Sequence, residues 1–239
     1  MTAVLGTVPP RARPLLAEAL GAFALVFAGC GAIMVDASRG GLGTVGIAAT
    51  FGLVIAAMVV ALGPVSGAHF NPAVSVALAA IGRFGWRDVP GYVAAQLTGA
   101  LAAAGLLRAS LGNVASIGAT APAGSDGQSF LWEVALTGFL LLVIAAVVSH
   151  APGSAAAGLS IGGTVALASL FGGAISGASM NPARSVGPAL VAGDTRALWI
   201  YLTAPLLGGV VGAAAYRAMG IQPSATPEQT AGEPDGSAP

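Results

Sequence analysis

The 239-residue chain is 56% hydrophobic and only 8% charged, with nine arginines, no lysine and a formal net charge of zero. An ordinary soluble domain carries about 25% charged residues, so this chain cannot cover a water-facing surface and the bilayer is its expected solvent. The charge balance argues against a nucleic-acid partner, and a single cysteine, Cys30, excludes an intramolecular disulfide or a Cys-rich metal site.

Residues 1–13 read as an N-terminal tail, with Arg11 and Arg13 ahead of the first apolar run. That run reads as a first span or signal anchor and not as a cleaved leader, because apolar segments continue throughout. A spanning helix needs about 20 mostly apolar residues. Six segments qualify: 14–34, 44–62, 89–107, 130–149, 155–171 and 197–216. Glu18 opens the first and Glu133 the fourth, while Cys30 lies inside the first and is expected to pack. Glycines at 21, 52, 99, 105, 162 and 208 suit close helix crossings in a membrane. Two shorter segments, 72–82 and 182–191, have roughly 11 residues each, or about 17 Å at 1.5 Å per residue. Neither spans alone, but end to end they give about 33 Å, close to the roughly 30 Å hydrocarbon core. They are predicted to be half-helices entering from opposite faces and meeting near the middle. Residues 219–239, rich in Pro, Gly, Ser and Glu, read as a disordered tail.

The segments 66–76 and 176–186 are nearly the same sequence 110 residues apart, with eight of eleven positions identical and Asn-Pro-Ala at the centre of both. Each half of the chain (about 14–110 and 130–218) holds three spans, with its short segment after the second. Three is odd, so the halves have opposite orientation: an inverted repeat. Arg11, Arg13, Arg83, Arg87 and Arg217 then fall on one side, and Arg39, Arg108 and Arg196 on the other. Five against three places both termini in the cytoplasm.

Asn is a preferred N-cap and Pro a preferred first helical residue. In Asn71-Pro72-Ala73 and Asn181-Pro182-Ala183 the side-chain oxygen can accept from the helix's own free N–H groups, which turns the amide NH2 away from the helix. Two such half-helices would bring two NH2 donors and two positive dipole ends to one spot. A passing water is oriented there and a cation repelled, a combination known from aquaporin-type pores.

On the segments 66–76 and 176–190, together with 91–96 in the third span and the two glutamates, the chain resembles the aquaporin (major intrinsic protein) family and is identified as a bacterial-type member. The resemblance covers about residues 14–217. It implies an all-α membrane fold of six helices plus two re-entrant half-helices, a pore in every subunit, a homotetramer and a multi-pass plasma or inner-membrane location. The expected cargo is water and small neutral solutes; His69 and His150 stand in no ligand spacing and no catalytic motif is assembled, so no metal site, no cofactor and no enzymatic activity are expected.

The family's selectivity filter maps onto Phe51, Ser169, Ala178 and Arg184. Water-specific members carry Phe, His, Thr and Arg there, so the small Ser169 and Ala178 imply a wider opening. Glycerol facilitators pair Trp with a second aromatic and follow the second Asn-Pro-Ala-Arg with Asp, whereas this chain has Phe51 and Ser185. The residues 176–180 and Tyr201-Leu202 look most like the nodulin-type branch, which passes water, glycerol and metalloid hydroxides. Arg184 supplies a permanent charge and fixed donors; a salt bridge holding a loop is its other reading. Glu18, Glu133, His69 and Gln96 are expected to brace the re-entrant loops, and His150 to sit at the interface. The expected function is a passive channel for water and small uncharged solutes such as glycerol, excluding protons and ions. Its alternatives are a strict water channel and, outside the family, an ion-coupled secondary transporter.

Overall fold

The computed structural model describes residues 8–148 and 153–220. The expectations for His150 and for the segment 221–239 lie outside these residues. Eight α-helices follow in chain order: α1 Arg13–Arg39, α2 Gly43–Ser66, α3 Pro72–Ala80, α4 Val89–Leu111, α5 Asp126–Val148, α6 Ala155–Ser176, α7 Pro182–Ala192 and α8 Leu198–Ala218. Six of them are long and apolar enough to cross a membrane; α3 and α7, with 9 and 11 residues, are the two half-helices.

The helices overrun the apolar segments at several ends. The expected second span ends at residue 62, yet α2 continues through Pro64 to Ser66. Pro64 forgoes one i→i−4 hydrogen bond there. The stop falls at Gly67 (φ 82°), whose N–H donates to the Gly63 carbonyl in a left-handed cap. Gly177 (φ 84°) ends α6 in the same way against Gly173. Conversely, α3 stops at Ala80, before the expected residue 82.

The two halves pack by the same rules. α1 lies against α4, α5 against α8, and α2 against α6 across the repeat. A Cβ on Gly99 would meet the Ala19 carbonyl at 2.0 Å, and one on Gly208 the Val134 carbonyl at 2.2 Å. Both crossings therefore require a residue without a side chain. One buried core cluster runs from Leu25 and Phe51 through Phe70 and Val74 to Leu140 and Met180.

The half-helices also exchange their C-terminal partners. Arg108, on α4 of the first half, donates through Nη1 to the Val191 carbonyl at the end of α7. Arg217, on α8 of the second half, donates through Nη1 to the Ile81 carbonyl beyond α3 (3.4 Å). A cation at a helix C-terminus is favourable against the dipole.

Candidate functional site

Asn71 and Asn181 cap α3 and α7. The Asn71 Oδ1 accepts from the Ala73 N–H (2.8 Å), and the Asn181 Oδ1 from those of Ala183 (3.0 Å) and Arg184 (3.3 Å). Each amide also reaches across the repeat: Asn71 Nδ2 donates to the Met180 carbonyl (2.7 Å) and Asn181 Nδ2 to the Phe70 carbonyl (2.9 Å). An NH2 group has two donors, so the cross-bond uses one and leaves the other for the cavity that both asparagines line. These reciprocal bonds add to the expected orientation of each NH2 away from its own helix.

The chain leading into each asparagine is strained. Ala68 (φ 55°) and Phe70 (φ 51°) are left-handed, as are Ala178 (φ 41°) and Met180 (φ 51°). Each such residue costs roughly 1–2 kcal/mol. Buried carboxylates hold them there. Glu18 accepts from Ser66 Oγ (2.7 Å), the His69 N–H (3.0 Å), the Phe70 N–H (2.7 Å) and Gln96 Nε2 (2.7 Å). Glu133 accepts from Ser176 Oγ (2.8 Å), the Ser179 N–H (2.8 Å) and the Met180 N–H (2.7 Å). Both carboxylates are 0% exposed.

Two tyrosines that the sequence reading did not assign to this task complete the brace. The Tyr92 hydroxyl donates to the Ser66 carbonyl (2.9 Å) and the Tyr201 hydroxyl to the Ser176 carbonyl (2.6 Å). Their signal was the repeat itself, because these tyrosines stand at matching places in the third and last spans. The halves differ at the next contact. His69 Nδ1 pairs with Ser75 Oγ (2.9 Å), whereas Ser179 Oγ pairs with Ser185 Oγ (2.6 Å), which in turn meets Thr120 Oγ1 (2.8 Å).

A narrow cavity inside the bundle reaches the paired asparagines and is lined by Val59, Ile144, His69, Ala178 and Arg184. Beyond lies a wider recess of about 370 Å³ that contains Ser169 and Thr120. Phe51 and Arg184 border both spaces. The four positions Phe51, Ser169, Ala178 and Arg184 therefore gather where the narrow cavity meets the wide one. A Cβ on Gly29 would sit 2.1 Å from the Phe51 ring, so α1 gives this aromatic its room.

Arg184 is only 3% exposed. Its guanidinium lies 5.2 Å from the Phe51 ring centroid, and Nη1 donates to the Gly118 carbonyl (2.8 Å). Among the described residues it forms no ion pair, so a carbonyl anchor stands where a salt bridge was considered. The anchor comes from the loop between α4 and α5, where Ala115, Ser116 and Ile117 are all left-handed (φ 45°, 49° and 57°). Nothing in Ala-Ser-Ile announces that conformation, so this contact could not be read from the sequence. On the outer rim, Arg196 grips Asp194 with Nε and Nη2 (3.0 and 2.8 Å). These bonds hold the Asp194 carboxyl down at about 2, and the pair stays ionised throughout the neutral range.

Fold and site together define a helical membrane channel built on two re-entrant half-helices. The chain belongs to the major intrinsic protein family, whose model matches residues 7–216. It is 47% identical to aquaporin NIP1-1 of Oryza sativa subsp. japonica over 211 residues, covering 87% of this chain and 74% of that one. It is 44% identical to nodulin-26 of Glycine max over 211 residues, with 87% and 78% covered. Its structure superimposes on the aquaglyceroporin from Plasmodium falciparum with a TM-score of 0.78, at 29% identity, over 86% of this chain and 95% of the other.

Proposed function

We propose that the chain is a passive pore for water and small uncharged solutes such as glycerol, with Phe51, Ser169, Ala178 and Arg184 as its selective constriction. The observation that carries this reading is the meeting of the narrow cavity and the wide recess at Phe51 and Arg184. The second amide N–H of Asn71 and of Asn181 orients the passing oxygen, and the guanidinium supplies donors and repels cations. The carboxylates, with His69 and Gln96, hold the loops and do not touch the solute stream, His69 excepted. The subunits assemble as a homotetramer in the plasma or inner membrane with both termini cytoplasmic; the arginine asymmetry and the family resemblance support this.

Proteoliposome swelling tests the pore. Water and glycerol should both pass without a proton or sodium gradient. Strict ion dependence would overturn the channel, and exclusion of glycerol would overturn the wide filter and leave a water-selective pore. Ser169→His should cut glycerol flux by about tenfold or more while water flux falls less than about threefold, since added bulk at a constriction penalises the larger solute. An equal fall in both fluxes would remove Ser169 from the filter.

A further inference from the structure

The membrane face that carries the N-terminus holds a second cleft of about 500 Å³, outside the pore, between the start of α1 and the segment leading into α4. Arg11 and Arg87 stand in it, and neither makes an ion pair or a hydrogen bond among the described residues. Outside the described residues, the segment 1–7 contains no acidic residue, and 221–239 contains Glu228, Glu233 and Asp235. Asp88 also borders the cleft, but its carboxylate folds back over Gly85, where a Cβ would lie 2.7 Å from Oδ2. The cleft's own charge is thus two guanidiniums against one carboxylate, a net of one positive charge.

The surroundings say which anion fits. Trp86, 58% exposed, stands beside Arg87 and marks the headgroup level, where tryptophan is enriched. Leu16 and Leu20 follow from the cleft along α1 at helical spacing, both exposed. A phosphate monoester or free phosphate would bring more charge than the cleft balances and nothing to cover the leucines. A phosphodiester carries one negative charge, and lipid chains cover an apolar ridge. We infer that this cleft binds the headgroup of an anionic phospholipid, with Arg11 and Arg87 on the phosphate and the acyl chains along Leu16 and Leu20. Basic pockets at the cytoplasmic ends of spanning helices are suited to this chemistry.

The cleft also shares a wall with the pore. Phe84 and Tyr92 border it, and the same two rings pack on His69 at centroid distances of 4.7 and 5.2 Å. His69 lines the narrow cavity. The cleft is therefore separated from the channel cavity by those rings and the His69 imidazole. The binding itself does not depend on which solute crosses.

The test uses the purified full-length chain in detergent, titrated with phosphatidylglycerol and read by native mass spectrometry. One tight lipid per chain is expected. Arg11→Gln and Arg87→Gln should each weaken it about fivefold, and the double variant about 30-fold, at roughly one favourable charge contact each. Arg39→Gln, on the opposite face, should leave it unchanged. The graded loss separates a binding defect from misfolding, which would not scale with the number of arginines removed. Equal lipid binding by the double variant overturns the site. So does equal affinity for phosphatidylcholine, and displacement of the lipid by millimolar inorganic phosphate would show a soluble-anion site instead.

Discussion

Glu18→Ala and Glu133→Ala are expected to yield little or no folded protein. Glu18 accepts four hydrogen bonds and Glu133 three, all inside the bundle and none replaceable by water. Leaving a buried donor unpaired costs about 1–3 kcal/mol. Four donors amount to roughly 4–12 kcal/mol, against a typical net stability of about 5–15 kcal/mol. The released loops would also relax from their left-handed residues, so what survives should lose the cross-bonds of Asn71 and Asn181. Glutamine is no cure, because its NH2 would face a donor where Glu18 now offers an acceptor. Yield of monodisperse protein and the thermal unfolding midpoint check this, with Ser66→Ala, which removes one donor to Glu18 and the acceptor of the Ala68 N–H, as the mild reference. A normal midpoint for Glu133→Ala would show that the loop holds itself.

Arg184→Ala is expected to keep water flux within a few-fold of the parent while raising proton and cation leak by up to about a thousandfold. A unit charge 4 Å from a passing cation raises its energy by about 4 kcal/mol at an effective dielectric of 20, or about three decades. A pH-sensitive dye trapped in proteoliposomes reads the leak directly. The helix dipoles at Asn71 and Asn181 remain in this variant, so residual cation exclusion measures their share. An unchanged leak would shift the whole barrier to the paired half-helices. Gly118 contributes through its carbonyl, which no side-chain substitution removes, so Arg184 is the accessible end of that contact.

Much of this arrangement was legible from residue order. The inverted repeat, the half-helices and the paired Asn-Pro-Ala follow from spacing and helix length. The bracing glutamates followed from the family resemblance, which also placed Phe51, Ser169, Ala178 and Arg184 together. Two classes of contact were not legible. The amide cross-bonds of Asn71 and Asn181 end on backbone carbonyls, and every residue has one, so no side-chain pattern marks Met180 or Phe70 as acceptors. The Gly118 anchor depends on three left-handed residues that lack the glycine or asparagine by which such turns are usually recognised. Sequence periodicity also fixed helix interiors better than ends. α2 and α6 stop at Gly67 and Gly177, where a left-handed cap is required, and not where the apolar run fades.

The exchanged arginines relate the two halves as a symmetric pair is related. Arg108 of the first half closes the short helix of the second, and Arg217 of the second closes that of the first. In a two-fold pair of identical subunits, a residue on one partner meets its counterpart's neighbour and the same contact is made in return. The two halves of this chain meet each other by that rule. The two clamps make each half of the chain the other's partner.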